Sequence, residues 1–167
     1  MNFPLLPIMR TDALTDLTPE FLHRKGIRLL MLDFDNTIVP YTTNIPTQRM
    51  QIWLQTMAAS DIRLCVVSNS KKDRVRVFCA EYGIDCITHA KKPFSKGIRQ
   101  CLAKYGIAAD ACALVGDQIF TDTLGANCTG VKSILVKAID NHNIWLKLRH
   151  VAEKPFIFAA RNRRIQL

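Results

Sequence analysis

The amino-acid sequence predicts a three-layer α/β/α protein built on a five-stranded parallel sheet. Short apolar runs of strand length alternate with stretches whose apolar residues fall at helical spacing. Polar residues appear abruptly where several of the apolar runs end. Because parallel strands are joined by helical crossovers that cover both faces of a sheet, this alternation favours one doubly covered sheet. The 167 residues are predicted to form a single domain spanning residues 1–167.

The first predicted strand lies between two helices. Thr18 caps the first helix, Pro19 begins it without losing a hydrogen bond, and Gly26 ends it. The apolar run of residues 27–32 is the strand. Thr47 caps the second helix. The apolar residues of that helix fall at helical spacing: Met50, Trp53, Leu54 and Met57.

The next elements continue the alternation. Residues 62–67 form an apolar strand, and residues 72–82 form a helix. The inner face of that helix is predicted to contain Val75, Phe78 and Cys79. A weaker strand over residues 86–88 precedes a helix over residues 95–105, which Gly106 ends.

The last third of the chain repeats the pattern and then changes in composition. A buried strand is predicted over residues 111–115, a short helix over 120–127 and a core strand over 131–136. An amphipathic segment, residues 144–152, precedes a basic tail. These assignments complete a five-stranded sheet.

Charge and composition narrow the function classes. The net charge of +9 is uneven, with nine basic and four acidic residues in 71–110 and six against one in 145–167, which favours an anionic partner. The six cysteines form no C-x-x-C pair and are interpreted as small core residues, so neither zinc nor a disulfide framework is expected. No run approaches the roughly 18 apolar residues of a membrane span, and a cytoplasmic protein is expected.

Polar residues follow several of the predicted strands directly. They would lie at the carboxyl ends of the strands, where parallel sheets bind their ligands. They are Asp33, Asp35, Ser68, Asn69, Lys92, Asp117 and Asp122. Asp33 and Asp35 stand two apart, so both point to one side of the strand end. Buried carboxylates lose hydration worth several kcal/mol unless a partner replaces the water. The pair therefore predicts a cation, and Mg²⁺ is the natural choice because it prefers carboxylate oxygens.

These residues resemble the four motifs of the haloacid dehalogenase (HAD) superfamily of phosphohydrolases, in order. D-x-D-x-T corresponds to residues 33–37, the serine after an apolar strand to Ser68, the lone lysine to Lys92, and G-D-x-x-x-x-D to residues 116–122. The resemblance covers about residues 27–137. It is closest to the capless class IIIA branch of bacterial YqeG-like proteins, which is similar to mitochondrial phosphatidylglycerophosphate phosphatase. A Rossmann-like fold is implied.

The resemblance also implies roles for the individual residues. Asp33 is the nucleophile that forms an aspartyl-phosphate. Asp35 is the general acid and base, and its backbone carbonyl joins the carboxylates of Asp33 and Asp117 on Mg²⁺. Ser68, Asn69 and Lys92 are expected to bind the substrate phosphate, with the adjacent Lys91 as a rival for the lysine role. Asp122 orients Lys92 or a metal-bound water, or alternatively binds the metal directly.

Spacing between the motifs leaves no room for a lid domain, because 31 positions separate Thr37 from Ser68 and 24 separate Ser68 from Lys92. An open site suits a substrate presented on a surface, or a site covered by a partner subunit in a homo-oligomer. The substrate hypothesis is phosphatidylglycerophosphate, with the protein peripheral at the inner membrane surface.

Apolar residues at both ends support contact with an anionic membrane. The N-terminal set is Phe3, Leu5, Leu6, Ile8 and Met9. The C-terminal set is Phe156, Ile157 and Phe158, flanked by Lys154, Arg161, Arg163 and Arg164. The alternative is that both ends pack on the core.

Two other functions remain open. One is a phosphatase of a soluble sugar or nucleotide phosphate. The other is a non-catalytic, basic RNA- or ribosome-binding protein that retains the fold, although no aromatic RNP pattern or G-x-x-G clamp supports nucleic-acid binding. A phosphorylation-receiving regulatory domain is excluded by motif order, because its lysine comes last, whereas Lys92 precedes Asp117.

Overall fold

The computed structural model describes residues 4–71, 73–140 and 144–165, with the backbone only for residues 144–150. Phe3 and Lys72, which entered the predictions above, lie outside the described residues. Within the described part, no helix is both long and apolar enough to cross a lipid bilayer.

The centre of the molecule is a parallel sheet of six strands. They are β1 (Met9–Thr11), β2 (Leu29–Leu32), β3 (Arg63–Val67), β4 (Asp85–Ile87), β5 (Cys112–Gly116) and β6 (Lys132–Val136). Their order is β1-β6-β5-β2-β3-β4, so β2 lies in the middle. The prediction of five strands was wrong by one: β1 pairs with β6 at the edge, Met9 opposite Ile134. Three residues are too few to show a strand period.

Six α-helices accompany the sheet in the described part of the chain. They are α1 (Pro19–Arg24), α2 (Gln48–Ala58), α3 (Arg74–Glu81), α4 (Lys96–Tyr105), α5 (Leu124–Cys128) and α6 (Ile144–Ala159). The caps predicted for the first two are confirmed, because Thr18 accepts a hydrogen bond from the Phe21 amide and Thr47 accepts one from the Met50 amide. Gly106 ends α4 with a φ of 62°, the left-handed conformation that favours glycine.

The core lies on both faces of the sheet, as the three-layer prediction requires. Leu30 and Leu32 of β2 pack with side chains from α1, α2 and α3 on one face. Leu29 and Met31 pack on the other face with side chains from α4 and α5. A strand buried on both faces is apolar throughout, which is why β2 shows no polar alternation.

Hydrogen bonds to α5 and β6 place the N-terminal segment. The Asn127 side chain donates hydrogen bonds to the carbonyls of Pro4 and Leu6, and the Ile8 amide donates to Ser133 at the start of β6. The N-terminal segment therefore lies at the amino edge of the sheet, where the parallel strands begin.

Helix α6 is longer than the predicted segment 144–152 and continues through Pro155 to Ala159. It packs on a π-helical turn, Ile119–Thr123, where the Phe156 ring meets Phe120 edge-on. Beyond α6 the chain returns to the sheet, and the Ile165 amide donates to the Arg10 carbonyl of β1. The C-terminal segment thus packs against the edge of the sheet and the turn after β5.

Candidate active site

Asp33 stands at the carboxyl end of the central strand. Its amide donates a hydrogen bond of 2.8 Å to the Val115 carbonyl of β5, which continues the sheet ladder by one residue and fixes the backbone there. The residue is only 7% exposed. Its carboxylate is thus held at the carboxyl edge, between the loops that follow β3 and β5.

Lys92 joins two acidic residues in the buried part of the site. Its Nζ lies 2.6 Å from Asp33 Oδ1 and 2.7 Å from Asp122 Oδ1, and its side chain is 1% exposed. Burial alone lowers the pKa of Lys92, but the carboxylates of Asp122 and Asp33 outweigh it and raise the pKa, so the ammonium stays charged. Lys91, the rival from the sequence, is exposed. The structure therefore places Lys92, not Lys91, beside Asp33.

The loop after β3 holds Lys92 in position. The Asn69 side chain accepts a 2.7 Å hydrogen bond from the Lys92 amide and donates a 2.9 Å bond to its carbonyl. Ser68 is 1% exposed, and its hydroxyl oxygen accepts a bond from the Ser70 amide. Asn69, which is predicted to bind phosphate, thus joins the loop after β3 to the loop after β4, and Ser68 lies at the end of β3.

Gly116 explains how the fourth motif brings Asp122 back to the sheet. A Cβ at Gly116 would lie 2.2 Å from Asp122 Oδ2, so only glycine permits the approach. The same oxygen accepts a 3.2 Å hydrogen bond from the Gln118 amide. The pKa of Asp122 is raised to about 6. Burial is the largest cause, the Lys92 ammonium lowers the pKa, and the Asp33 carboxylate raises it.

Three carboxylates converge at this edge. Asp33, Asp117 and Asp122 are all buried and each offers an oxygen within 4.8 Å of the others. One ammonium, Lys92, contacts two of them. The donor set fits a hard divalent cation, because carboxylate oxygens crowded around one volume repel one another unless positive charge lies between them.

Arg74, at the start of α3, was missed by the sequence analysis. Its Nη1 lies 3.4 Å from Asp35 Oδ1. The guanidinium donates hydrogen bonds to three carbonyls of the loop after β2, those of Pro40, Tyr41 and Thr43, and lies over the Phe34 ring. Arg74 therefore connects Asp35 to the loop that leads away from it. An arginine among several basic residues carries no signal of this contact.

Glu153 of α6 was also missed. It is 2% exposed, and its Oε1 accepts a 2.8 Å hydrogen bond from the Ile119 amide and a longer one from Phe120. A buried glutamate satisfies the first amides of the turn that carries Asp122. Its signal in the sequence was a lone acid in an otherwise basic C-terminal segment.

The predicted site residues come together at one edge of the sheet. Asp33, Asp122 and Lys92 are in direct contact, Asp117 is in the acidic cluster, and Asn69 binds the backbone of Lys92. Ser68 ends the adjacent strand. Asp35 alone turns toward Arg74. Between Thr37 and Ser68 the chain forms a loop, α2 and β3, in agreement with the expected absence of a lid between the first two motifs.

Fold and site together define a class, the phosphatases of the HAD superfamily. Within it, the family model for mitochondrial PGP phosphatase matches residues 3–139, and the chain belongs to that family. It is a hydrolase of phosphoric monoesters. The resemblance stated from the motifs is confirmed.

Two curated relatives are similar to the chain. A Bacillus subtilis (strain 168) protein described as "probable phosphatase YqeG" is 33% identical over 120 residues, which are 72% of this chain and 70% of the relative. Phosphatidylglycerophosphate phosphatase 1, chloroplastic/mitochondrial, of Arabidopsis thaliana is 27% identical over 92% of this chain. The match covers 44% of that relative, so this chain spans less than half of its length.

A solved structure shows the same fold. The cobalt-bound deoxy-D-mannose-octulosonate 8-phosphate phosphatase of Haemophilus influenzae superposes with a TM-score of 0.54. The alignment covers 82% of this chain and 91% of that one at 12% identity. The likeness concerns the fold.

Proposed function

We propose that the protein is a Mg²⁺-dependent phosphatase that works through an aspartyl-phosphate on Asp33. One observation carries the proposal: the Asp33 carboxylate lies 2.6 Å from the buried ammonium of Lys92, inside a cluster of three buried carboxylates. Paired charges of this kind at a strand end have no structural purpose that an apolar pair would not serve better.

Asp33 and Asp117 would hold the cation, together with the backbone carbonyl of Asp35; Asp122 remains the alternative ligand. When bound, Mg²⁺ screens the carboxylates from the incoming phosphate and orients the phosphoryl group. The cobalt-bound state of the Haemophilus influenzae phosphatase, which has the same fold, supports a divalent cation here.

The protein residues then divide the work. Asp33 attacks phosphorus and forms a new O–P bond as the bond to the leaving oxygen breaks, and Asp35 gives that oxygen its proton. Asp35 next takes a proton from water, whose oxygen attacks the phosphorus and releases inorganic phosphate and the Asp33 carboxylate. Lys92 and Ser68 stabilise the negative phosphoryl oxygens throughout.

The substrate proposed is phosphatidylglycerophosphate, hydrolysed to phosphatidylglycerol at an anionic inner membrane surface. The family assignment and the substrate named for the Arabidopsis relative support it. A soluble sugar or nucleotide phosphate is the second candidate. It predicts the opposite outcome in a substrate screen, in which turnover of soluble monoesters would exceed turnover of the lipid in mixed micelles.

The chemistry is tested on the purified protein with and without Mg²⁺. Turnover of p-nitrophenyl phosphate should vanish in EDTA and return with Mg²⁺. Asp33→Asn should fold normally and lose a factor of about 10³ or more, because an amide is a poor nucleophile and a poor metal ligand. A beryllium fluoride mimic should attach to Asp33.

Near wild-type rates for Asp33→Asn would exclude the mechanism. Absence of turnover on every phosphate monoester, combined with RNA binding, would favour the non-catalytic alternative instead.

A further inference from the structure

The edge of the sheet that carries the active site also carries exposed apolar side chains. Tyr41, Ile45, Phe94 and Ile139, the apolar rim, are 42%, 75%, 74% and 48% exposed. They come from the loops that follow β2, β4 and β6, and these loops lie at the same edge as Asp33. A single exposed isoleucine is ordinary, but several large exposed apolar residues at one edge of the sheet indicate an interaction surface.

Hydrogen bonds fix the backbone of the loops that carry three of the apolar rim residues. Arg74 donates to the carbonyl of Tyr41, and the Ile45 amide donates to the Thr43 hydroxyl. The Phe94 amide donates to the carbonyl of Lys91, the residue before Lys92 in the loop between β4 and α4. The loops that carry these side chains are therefore hydrogen-bonded within themselves and, at Tyr41, to α3.

The Ile139 amide donates a 3.0 Å hydrogen bond to the Asn36 carbonyl, in the loop that contains Asp33 and Asp35. Asn36 in turn donates from its side chain to the Asp140 carbonyl at 2.7 Å. The loop after β6 is thus fastened to the first motif. A contact made by the apolar rim would bring its partner directly over the site.

Cations surround the apolar rim. The same edge exposes Lys71, Lys91, Lys96 and Lys137. The exposed acids in the corresponding loops are Asp12 and Asp73, and Asp12 is already paired with Arg164. An edge with exposed apolar side chains and an excess of lysine fits a lipid bilayer, whose acyl region is apolar and whose headgroup layer can be anionic.

We propose that the apolar rim docks on an anionic phospholipid bilayer with the active site facing the lipid; this inference rests on the proposed function. The phosphate of a membrane-resident monoester must reach Asp33 through this edge. Aliphatic and aromatic side chains both suit the boundary between headgroups and acyl chains. The described N-terminal residues lie at the opposite edge, so they face away when the site faces the bilayer.

The test is flotation of the full-length protein with phosphatidylcholine vesicles, with and without phosphatidylglycerol. Ile45→Ser combined with Phe94→Ser should weaken partitioning onto the anionic vesicles by about tenfold or more. The matched control combines Ile52→Ser with Val77→Ser, which are 56% and 63% exposed on the outer faces of α2 and α3. The control should partition onto the anionic vesicles like the wild type. Added salt should weaken the partitioning of both the control and the wild type.

Turnover separates this inference from the proposed function. Rim and control variants should both hydrolyse p-nitrophenyl phosphate at the wild-type rate, while the rim variant alone loses turnover of phosphatidylglycerophosphate in vesicles. If the wild type lacks phosphatase activity altogether, the proposed function fails.

The docking inference is overturned by any of three results. The wild type shows no preference for anionic vesicles at low salt. Rim and control variants partition alike. Sedimentation without vesicles shows a wild-type dimer that the rim substitutions dissociate, which would make the apolar rim a contact between two copies of the chain.

Discussion

Asp35 and Asp33 are two residues apart in the sequence and differ in their partners. Asp33 contacts the Lys92 ammonium at 2.6 Å, while Asp35 lies 3.4 Å from the Arg74 guanidinium. A carboxylate held beside a lysine in the buried acidic cluster suits nucleophilic attack. Asp35, whose carboxylate lies beside Arg74 rather than Lys92, suits proton transfer. The partners of the two carboxylates therefore support different roles.

Asp35→Asn tests this division. The amide cannot protonate an alkoxide, so we expect a loss of about 10²-fold or more with an alkyl phosphate and a much smaller loss with p-nitrophenyl phosphate, whose leaving group needs no proton. Steady-state rates with both substrates measure the difference. Equal losses would remove the acid role from Asp35.

Arg74 is predicted to be a positioning residue for Asp35. Arg74→Met removes the contact with Asp35 and three hydrogen bonds to the loop after β2. We expect turnover of alkyl phosphates to fall more than turnover of p-nitrophenyl phosphate, because misplacing Asp35 affects proton delivery. Loss of the loop contacts alone would lower both rates equally.

The matched control for Arg74 is Arg76→Met, two residues along the same helix. Arg76 contacts the Thr88 hydroxyl at 3.3 Å, and the residue is exposed. It should behave as wild type in both assays. A reduction as large as that of Arg74→Met would indicate a general effect of removing positive charge.

The elements that sequence patterns described correctly are those with caps or strong periodicity. Thr47 and the buried Met50, Trp53 and Leu54 of α2 follow a local rule that tertiary contacts do not override. By contrast, the three residues of β1 gain their strand conformation from pairing with β6, which is about 120 residues away. Helix α6 continues through Pro155, where local propensity predicts an end.

The same distinction applies to the site. The strand-end positions of Asp33, Ser68 and Asp117 follow from sequence order, because parallel strands place their carboxyl ends at one edge. Which side chains meet there depends on packing. Packing brings Lys92 rather than Lys91 to Asp33, and it brings Glu153 of α6 to the turn that carries Asp122. These contacts have no local sequence signature.

Glu153 allows a prediction about α6 as an element. Glu153→Leu leaves the Ile119 amide without its acceptor and should lower the free energy of unfolding by about 1–3 kcal/mol. Glu153→Gln keeps an acceptor oxygen and should cost less. Turnover should follow the same order, because the turn that begins at Ile119 carries Asp122. Chemical denaturation and p-nitrophenyl phosphate assays measure the two effects.

The neighbouring Lys154 is exposed, so Lys154→Gln is the control and should change neither quantity. Equal stability of the leucine and glutamine variants would show that the hydrogen bond does not hold α6 to the turn.

At the scale of the whole molecule, the acidic cluster links metal binding to stability. Three buried carboxylates within 4.8 Å face one ammonium, so the carboxylates repel one another, and the proposed divalent cation would relieve that repulsion. A ligand that binds the folded state at 100 times its Kd adds about 2.7 kcal/mol to the free energy of unfolding. Mg²⁺ should therefore raise the Tm of the wild type substantially.

Asp117→Asn separates the two contributions to that change in Tm. The amide keeps the size of the side chain and removes one negative charge, so in EDTA the variant should melt above the wild type. With one metal ligand weakened, Mg²⁺ should raise its Tm much less. Asp110→Asn, an exposed acid in the turn before β5, is the control and should retain the full Mg²⁺ effect. Thermal unfolding with EDTA and with increasing Mg²⁺ measures all three proteins. A variant that melts below the wild type in EDTA, or keeps the whole Mg²⁺ effect, would mean that the Asp117 carboxylate is neither repelled in the metal-free cluster nor part of the cation site.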